Sequence, residues 1–460
     1  MKNILFVLAI LSFMLFSCRQ GGRKTSQEST AGGKNIVKLM TVDPGHFHAA
    51  LVQKTMYEQV SPDVYVYAPA GPDLDQHLAR IQAYNSRAEN PTHWNEIVYT
   101  EDDFFEEMIN KKPGNVVVLS GNNKKKTDYI LRSIKEGFHV LADKPMVITP
   151  EEFPKLEEAF RIAGEKGLLL YDIMTERYEV TTILQKELSQ KKEIFGELID
   201  GSQNEPAVTK ESVHHFSKIV SGVPLIRPAW FFDVEQQGEG IVDVTTHLVD
   251  LVQWECFPEM VLNKKDVNMV TARRWPTILT KEEFKGVTGL EEYPDYLSKD
   301  IKDGKLYVYS NGEMIYRLKG KWAKVSVEWR YKAPEGGGDT HFSIMRGTNC
   351  NLVIRQTAAE KFVPTLYIEN VKSPIDEFTA KLKAAMATLP YDSLTVDNLD
   401  GKVLRINIPA KYRVGHEEHF AQVTEKYLRF LKEGKMPEWE VPGMIVKYYT
   451  TTSALTMARK

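Results

Sequence analysis

Gly137-Phe138-His139-Val140-Leu141-Ala142-Asp143-Lys144-Pro145-Met146 is the stretch that decides the fold. Gly137 closes a helical pattern, His139 to Ala142 is a short apolar strand, and the turn that leaves it carries Lys144. Open α/β sheets bind their ligands outside strand carboxyl ends, where the loops splay into a crevice. The following proline presses the lysine against the body of the protein. An amine partly withdrawn from water holds its proton less tightly, which suits it to proton transfer. A loop lysine in water is the ordinary alternative, so the case depends on what else converges there.

Upstream, Asn35 to Thr41 is a β-rich run that ends in Val42-Asp43-Pro44-Gly45-His46-Phe47-His48, with a helical pattern from Ala49. Strand, turn, helix is how a dinucleotide-binding unit opens. Asp63 to Ala68 and Ile97 to Thr100 read as the second and third strands. The helical patterns of Asp75 to Tyr84 and Asp102 to Asn110 follow them. Asn115 to Leu119 has the unbroken apolar character of a strand buried on both faces. Its loop, Ser120-Gly121-Asn122-Asn123, leads into a helix that ends near Glu136. Downstream, Thr149-Pro150-Glu151-Glu152 looks like a capped helix start, and Leu168 to Tyr171 is a sixth strand. This alternation predicts a doubly wound parallel sheet of Rossmann type.

From about Tyr178 strand-like runs dominate: 197–203, 267–274, 305–309, 314–318, 323–331, 352–356 and 402–408. Alternating patterns such as Ala323 to Tyr331 predict an α+β domain with a large, open, mostly antiparallel sheet, one face solvated or against another subunit. Helices at 416–431 and 444–458 close the chain. The expected division is residues 35–177 for the first domain and 178–460 for the second, the substrate-binding one.

The chain has 460 residues and a net charge of −3. Balanced charge without a basic stripe excludes nucleic acid as a partner. Lys2 followed by the apolar run Ile4 to Phe16 has the layout of a secretory signal and is too short to span a bilayer. Ser17-Cys18 resembles a lipoprotein acylation site, so residues 1–18 are expected to be a signal peptide and Cys18 a lipid anchor to the cell envelope. Residues 19–34 form a polar, flexible tether. Cys256 and Cys350 sit outside any CxxC spacing and read as buried apolar residues.

The second informative stretch is Gly238 to Trp254 (GEGIVDVTTHLVDLVQW). Asp243, His247 and Asp250 share one stripe of a helix, and a carboxylate one turn from an imidazole can orient it. A metal face is disfavoured, because no cysteine or second histidine supplements the stripe. A capped helix with a satisfied histidine is the plain alternative.

Taken in order, the opening strand–turn–helix, VVVLSGN, EGFHVLADKPM, Glu176-Arg177-Tyr178, IFGELIDG and GxGxxDxxxHxxDxxxW resemble the Gfo/Idh/MocA oxidoreductases over residues 35–260. The resemblance implies an N-terminal domain that binds NAD or NADP and a second domain that forms the substrate pocket and a homo-oligomer surface. It also implies that Lys144, Asp243 and His247 flank the nicotinamide as the catalytic set. The chemistry agrees: oxidising a secondary alcohol requires a base near its hydroxyl proton, and imidazole titrates near working pH.

The glycine fingerprint departs from the family, since only Gly45 remains and Pro44 lacks an N–H. The expected cofactor contacts are Asp43, Pro44, Gly45, His46, Phe47, His48, Ser120, Asn122, Asp143 and Lys144. For His46 and His48, contact with phosphate or substrate competes with simple ring packing. Lys126 is either a solvated helix start or a phosphate contact. Asp73 could reach a ribose, and no arginine follows the second strand, so NAD is favoured over NADP. Arg177, Arg227, Trp230 and Asp250 are expected at a carbohydrate substrate, with His214 and His215 near them. The expected function is a lipid-anchored NAD(P)-dependent oxidoreductase acting on a sugar or glycoside, its cofactor held tightly and recycled. A redox-neutral NAD-dependent glycosidase and a non-catalytic carbohydrate-binding protein are the alternatives.

Overall fold

The computed structural model describes residues 37–460 apart from 221 and 222; Cys18 and the tether lie outside them. Six short apolar strands form the first sheet: β1 (Leu39–Val42), β2 (Asp63–Tyr67), β3 (Asn95–Tyr99), β4 (Val116–Leu119), β5 (His139–Asp143) and β6 (Leu170–Ile173). Their order is β3-β2-β1-β4-β5-β6, parallel throughout. Chain order reverses between β1 and β4, which places the ligand crevice there. β1 and β4 are buried along their whole length, as strands covered by helices on both faces must be.

Local chemistry sets some boundaries differently from expectation. The helix after β1 is one turn, His48–Leu51. The helix expected at Thr149 starts at Phe153, with Pro154 in its first turn and no side-chain cap from Glu152. Residues 197–203 make only isolated bridges, Leu198 to Gly347 and Gly201 to Pro206. Gly196 and Gly201 both have φ of +74°, which interrupts an extended strand.

The second sheet has ten strands. It is antiparallel except where Lys321–Lys332 pairs parallel with Val208–Ser217, a central strand absent from the sequence-based pattern. Helices Val180–Ser189 and Thr245–Cys256 pack on its inner face, with Leu184, Leu188, Val249 and Val252 in one core with Met314, Val325 and Ile354. The closing helices, His416–Glu433 and Glu440–Ala458, return to the first sheet: Phe420, Val423, Tyr427 and Tyr448 join its core. No helix among the described residues is long and apolar enough to cross a membrane.

Candidate active site

Two segments deliver the central side chains. β5 ends at Asp143 and releases Lys144. The turn before helix Thr245–Cys256 delivers Asp243, and the helix's first turn delivers His247. Gly240 lets that turn sit against the large sheet: a Cβ there would lie 1.7 Å from the carbonyl oxygen of Ser310. Lys144 Nζ donates to Asp243 Oδ1 at 2.6 Å, across 99 residues of sequence. Asp243 Oδ2 accepts from Gln237 Nε2 at 3.0 Å, so both carboxylate oxygens are held and the amine has a fixed position.

Burial, with the Lys144 charge second, holds His247 well below the ordinary histidine range. Its imidazole is therefore neutral at working pH, and its Nδ1 is buried without a hydrogen-bond partner. An unpartnered buried nitrogen is costly and commonly marks a position kept for a ligand or for catalysis. The structure thus pairs Lys144 with Asp243 and sets His247 within reach of the Lys144 charge.

The β1 turn packs directly on the β4 loop. A Cβ on Gly121 would stand 1.9 Å from the carbonyl oxygen of Asp43, so only glycine fits. Asp43 adopts φ of +48°, and burial, reinforced by Asp73, pushes its carboxyl up to about 6. Ser120 Oγ donates to Asp143 Oδ2 (3.0 Å), and His48 Nδ1 lies 2.9 Å from the same oxygen. His46 Nδ1 is 3.6 Å from it. Asn122 Nδ2 donates to Gln236 Oε1. Phe47 packs on the His46 ring.

Several expected roles are corrected by placement. Arg177 and Asp250 are buried and make a two-pronged ion pair, Nε–Oδ2 2.6 Å and Nη2–Oδ1 2.7 Å. Arg177 also bonds Glu440, and Lys447 Nζ bridges Asp250 and Asp172. Although burial alone would raise it, Arg177 and Lys447 hold the Asp250 carboxyl far below the usual range. Both residues are committed to this buried ion-pair network. Arg227 donates to the carbonyls of Phe216 and His215 and lies over Phe231 and Trp329, so it too is an internal strut. Lys126 is not solvated: its amine is buried on the carbonyl of Asp143 (3.1 Å), and burial lowers it to about 8. Asp73 accepts from Trp230 Nε1 at 2.7 Å, which is the role foreseen for a ribose.

Further residues, among them Asp339, Lys218 and His416, which the sequence did not single out, complete the surroundings. Glu176 feels the Lys144 charge and is pushed up to about 7, first by burial and then by Glu179. Asp339 gathers His214, His215 and Lys218. His416 packs against His48, and burial lowers it to about 4. No motif joins Asp339, Lys218 or His416 to Lys144; only the fold does. Between pH 4.5 and 7 the folded chain binds a Glu176 proton that the unfolded chain has released, so this group's contribution to stability falls as pH rises through that window. Glu176→Gln is expected to raise thermal stability at pH 8 and leave it unchanged at pH 4, measured by calorimetry.

A dinucleotide meets two different environments here. At the nicotinamide end the residues fit: a held amine, a neutral imidazole with a free nitrogen, and no competing partner. At the phosphate end the turn uses its own donors, Gly45 N–H to Asp43 O, His46 N–H to Ser120 O and Ala49 N–H to His46 O. A Cβ on Gly45 would lie 2.8 Å from Asp73 Oδ2 and 3.1 Å from the Trp230 ring, so that pair covers the face a pyrophosphate approaches. A pyrophosphate held over Gly45, as expected from the turn, would meet this pair. Trp230→Ala is expected to speed NAD association and dissociation together, read by stopped-flow fluorescence; unchanged rates would show that the pair lies off the path.

Residues 184–459 match a family model described as "Putative oxidoreductase C terminal domain", and residues 72–171 match one described as "Oxidoreductase family, NAD-binding Rossmann fold". No curated protein matches the chain. Among solved structures, a "putative oxidoreductase" from Parabacteroides merdae ATCC 43184 is 56% identical, with a TM-score of 0.90 over 92% of this chain and 98% of that one. A levoglucosan dehydrogenase in complex with NADH and L-sorbose shares the fold at 13% identity and a TM-score of 0.59, over 92% and 97%. KijD10, a 3-ketoreductase from Actinomadura kijaniata in complex with NADP and TDP-benzene, does so at 11% and 0.55, over 92% and 98%.

Proposed function

Because this chain belongs to the Gfo/Idh/MocA oxidoreductase family, with its NAD-binding Rossmann domain, we propose that it oxidises a secondary hydroxyl of a sugar or glycoside. The observation that carries this reading is Lys144, fixed by Asp243, with its charge acting on a neutral His247 imidazole whose Nδ1 has no partner. Two distant family relatives are a sugar dehydrogenase and a ketoreductase, which supports a carbohydrate substrate.

The residues divide the work as follows. Lys144 donates a hydrogen bond to the reacting oxygen and stabilises the negative charge that grows there. His247 accepts the hydroxyl proton, because its imidazole is neutral and its nitrogen free. Asp243 holds the amine in place and keeps its charge balanced. Asp143, Ser120 and the β1 turn form the wall beside them. A bound nicotinamide supplies the acceptor for the hydride. In the reverse direction His247 returns the proton to the ketone oxygen.

The Trp230–Asp73 contact over the crevice favours a cofactor that is retained between turnovers, and retention suits an enzyme outside the cytoplasm, where free dinucleotide is scarce. We read the chain as such an envelope protein, acylated at Cys18. Cys18→Ser is expected to release it from the membrane fraction; a variant that stays membrane-bound would contradict the anchor. The outward face of the ten-stranded sheet is the surface for self-association, which light scattering tests.

The experiment for the function is direct. Wild-type protein with NAD and a panel of glycosides should yield products two hydrogens lighter by mass spectrometry. Absence of any oxidised product, with dinucleotide shown to be bound, would oppose the reading.

A further inference from the structure

We propose that His46, His48 and Asp143 form a binding site for one divalent first-row transition-metal ion, beside the catalytic amine. One ligand atom from each residue lies within 4.8 Å of the others. His48 Nδ1 is 2.9 Å and His46 Nδ1 3.6 Å from Asp143 Oδ2. Metal–ligand bonds of about 2.1 Å set neighbouring ligands about 3.0 Å apart in an octahedron and about 3.4 Å apart in a tetrahedron. The observed separations bracket those edges.

The proposed ligand atoms make hydrogen bonds that a metal ion would replace. His46 Nδ1 accepts the backbone N–H of His48 at 3.4 Å, a long contact that a metal ion on the same lone pair would replace. The same nitrogen faces a carboxylate oxygen at 3.6 Å, one acceptor opposite another. Asp143 Oδ2 already receives Ser120 Oγ and lies at His48 Nδ1. A cation between the two imidazoles and the carboxylate would replace the hydrogen bonds at His46 Nδ1 and His48 Nδ1 with coordination bonds.

The surroundings are those of a built site. The side chains are 19%, 10% and 5% exposed for His46, His48 and Asp143. Phe47 holds the His46 ring, Phe420 and His416 hold the His48 ring, and Ser120 orients the carboxylate. The Ser120 hydrogen bond is the kind of outer partner that fixes a metal ligand in productive orientation. Two imidazoles and one carboxylate suit zinc, iron or manganese and leave coordination positions open. Lys144 and Lys126 stand close, but Lys144 is paired with Asp243 and Lys126 is turned to a main-chain carbonyl. An oxygen of the sugar, a hydroxyl or ketone held near Lys144, is the ligand chemistry that would take an open position.

The site does not depend on dinucleotide turnover. The test uses the full chain without a polyhistidine tag, stripped with a chelator and then titrated with zinc or cobalt(II). The expected result is one zinc per chain by elemental mass spectrometry and visible ligand-field bands with cobalt. His46→Ala and His48→Ala should each weaken zinc binding by more than the about 10–100-fold typical of losing an outer partner. Should either variant unfold by circular dichroism, wild-type stoichiometry still decides. Folded wild-type protein that takes up neither zinc, manganese nor cobalt, or variants that bind as well as wild type, would overturn the proposal. Dinucleotide binding measured on the same samples separates its failure from failure of the oxidoreductase reading.

Discussion

Lys144→Met is expected to lower kcat/KM for glycoside oxidation by about 10²–10⁴-fold, the range that positioned acid–base groups contribute. Methionine matches the length of lysine and removes both the donor and the charge. The variant also leaves Asp243 Oδ1 without its 2.6 Å partner, although Gln237 still holds Oδ2. Because the lysine acts on the reacting oxygen, kcat should fall while dinucleotide affinity changes little. His247→Asn should produce a loss of similar size. With wild-type His247 neutral far below its ordinary range, activity should show no histidine-like inflection near pH 6.5. A full inflection there, abolished by His247→Asn, would place the imidazole in a more solvated position.

Arg177→Met should be the most damaging substitution for stability. It strands Asp250 and Glu440, both essentially inaccessible, and opening a buried pair in this way costs about 3–5 kcal/mol. That is a large fraction of the about 5–15 kcal/mol that holds a typical domain together. Lys447 remains on Asp250 and Lys426 on Glu440, which moderates the loss. Arg177→Met combined with Asp250→Leu should recover part of it, since two uncharged side chains leave less buried charge unpaired. Denaturant unfolding measures both. Unchanged stability together with lost substrate binding would return Arg177 to the substrate site, the role its sequence context suggested.

The first sheet was legible because its strands are buried on both faces and read as unbroken apolar runs, as in Val116 to Leu119. The pairing of Lys144 with Asp243 joins two motifs that the sequence offered separately, one at a strand end and one at a helix start. Strand Val208–Ser217 was hidden by its own composition. Lys210 is fully buried there and paired with Glu255, with Gln185 completing the amine's bonds, so its polar residues disguise a central strand. Asp250 shows the limit of spacing: the helical stripe placed it on the face of His247, but Arg177 and Lys447, distant in sequence, decide its partner. The run Lys124-Lys125-Lys126 shows the same, since only the third turns inward, to the carbonyl of Asp143.

The central claim is that an amine from the first sheet and an imidazole from the following helix act over one nicotinamide ring. It is tested most directly by loading the wild-type protein, Lys144→Met and His247→Asn with NAD and mixing each with glycoside. The near-ultraviolet absorbance of reduced nicotinamide is then followed in a single turnover. Wild type should reduce its bound cofactor, and both variants, loaded at saturating NAD, should reduce it at least about 100-fold more slowly. Wild-type rates in either variant would contradict the account.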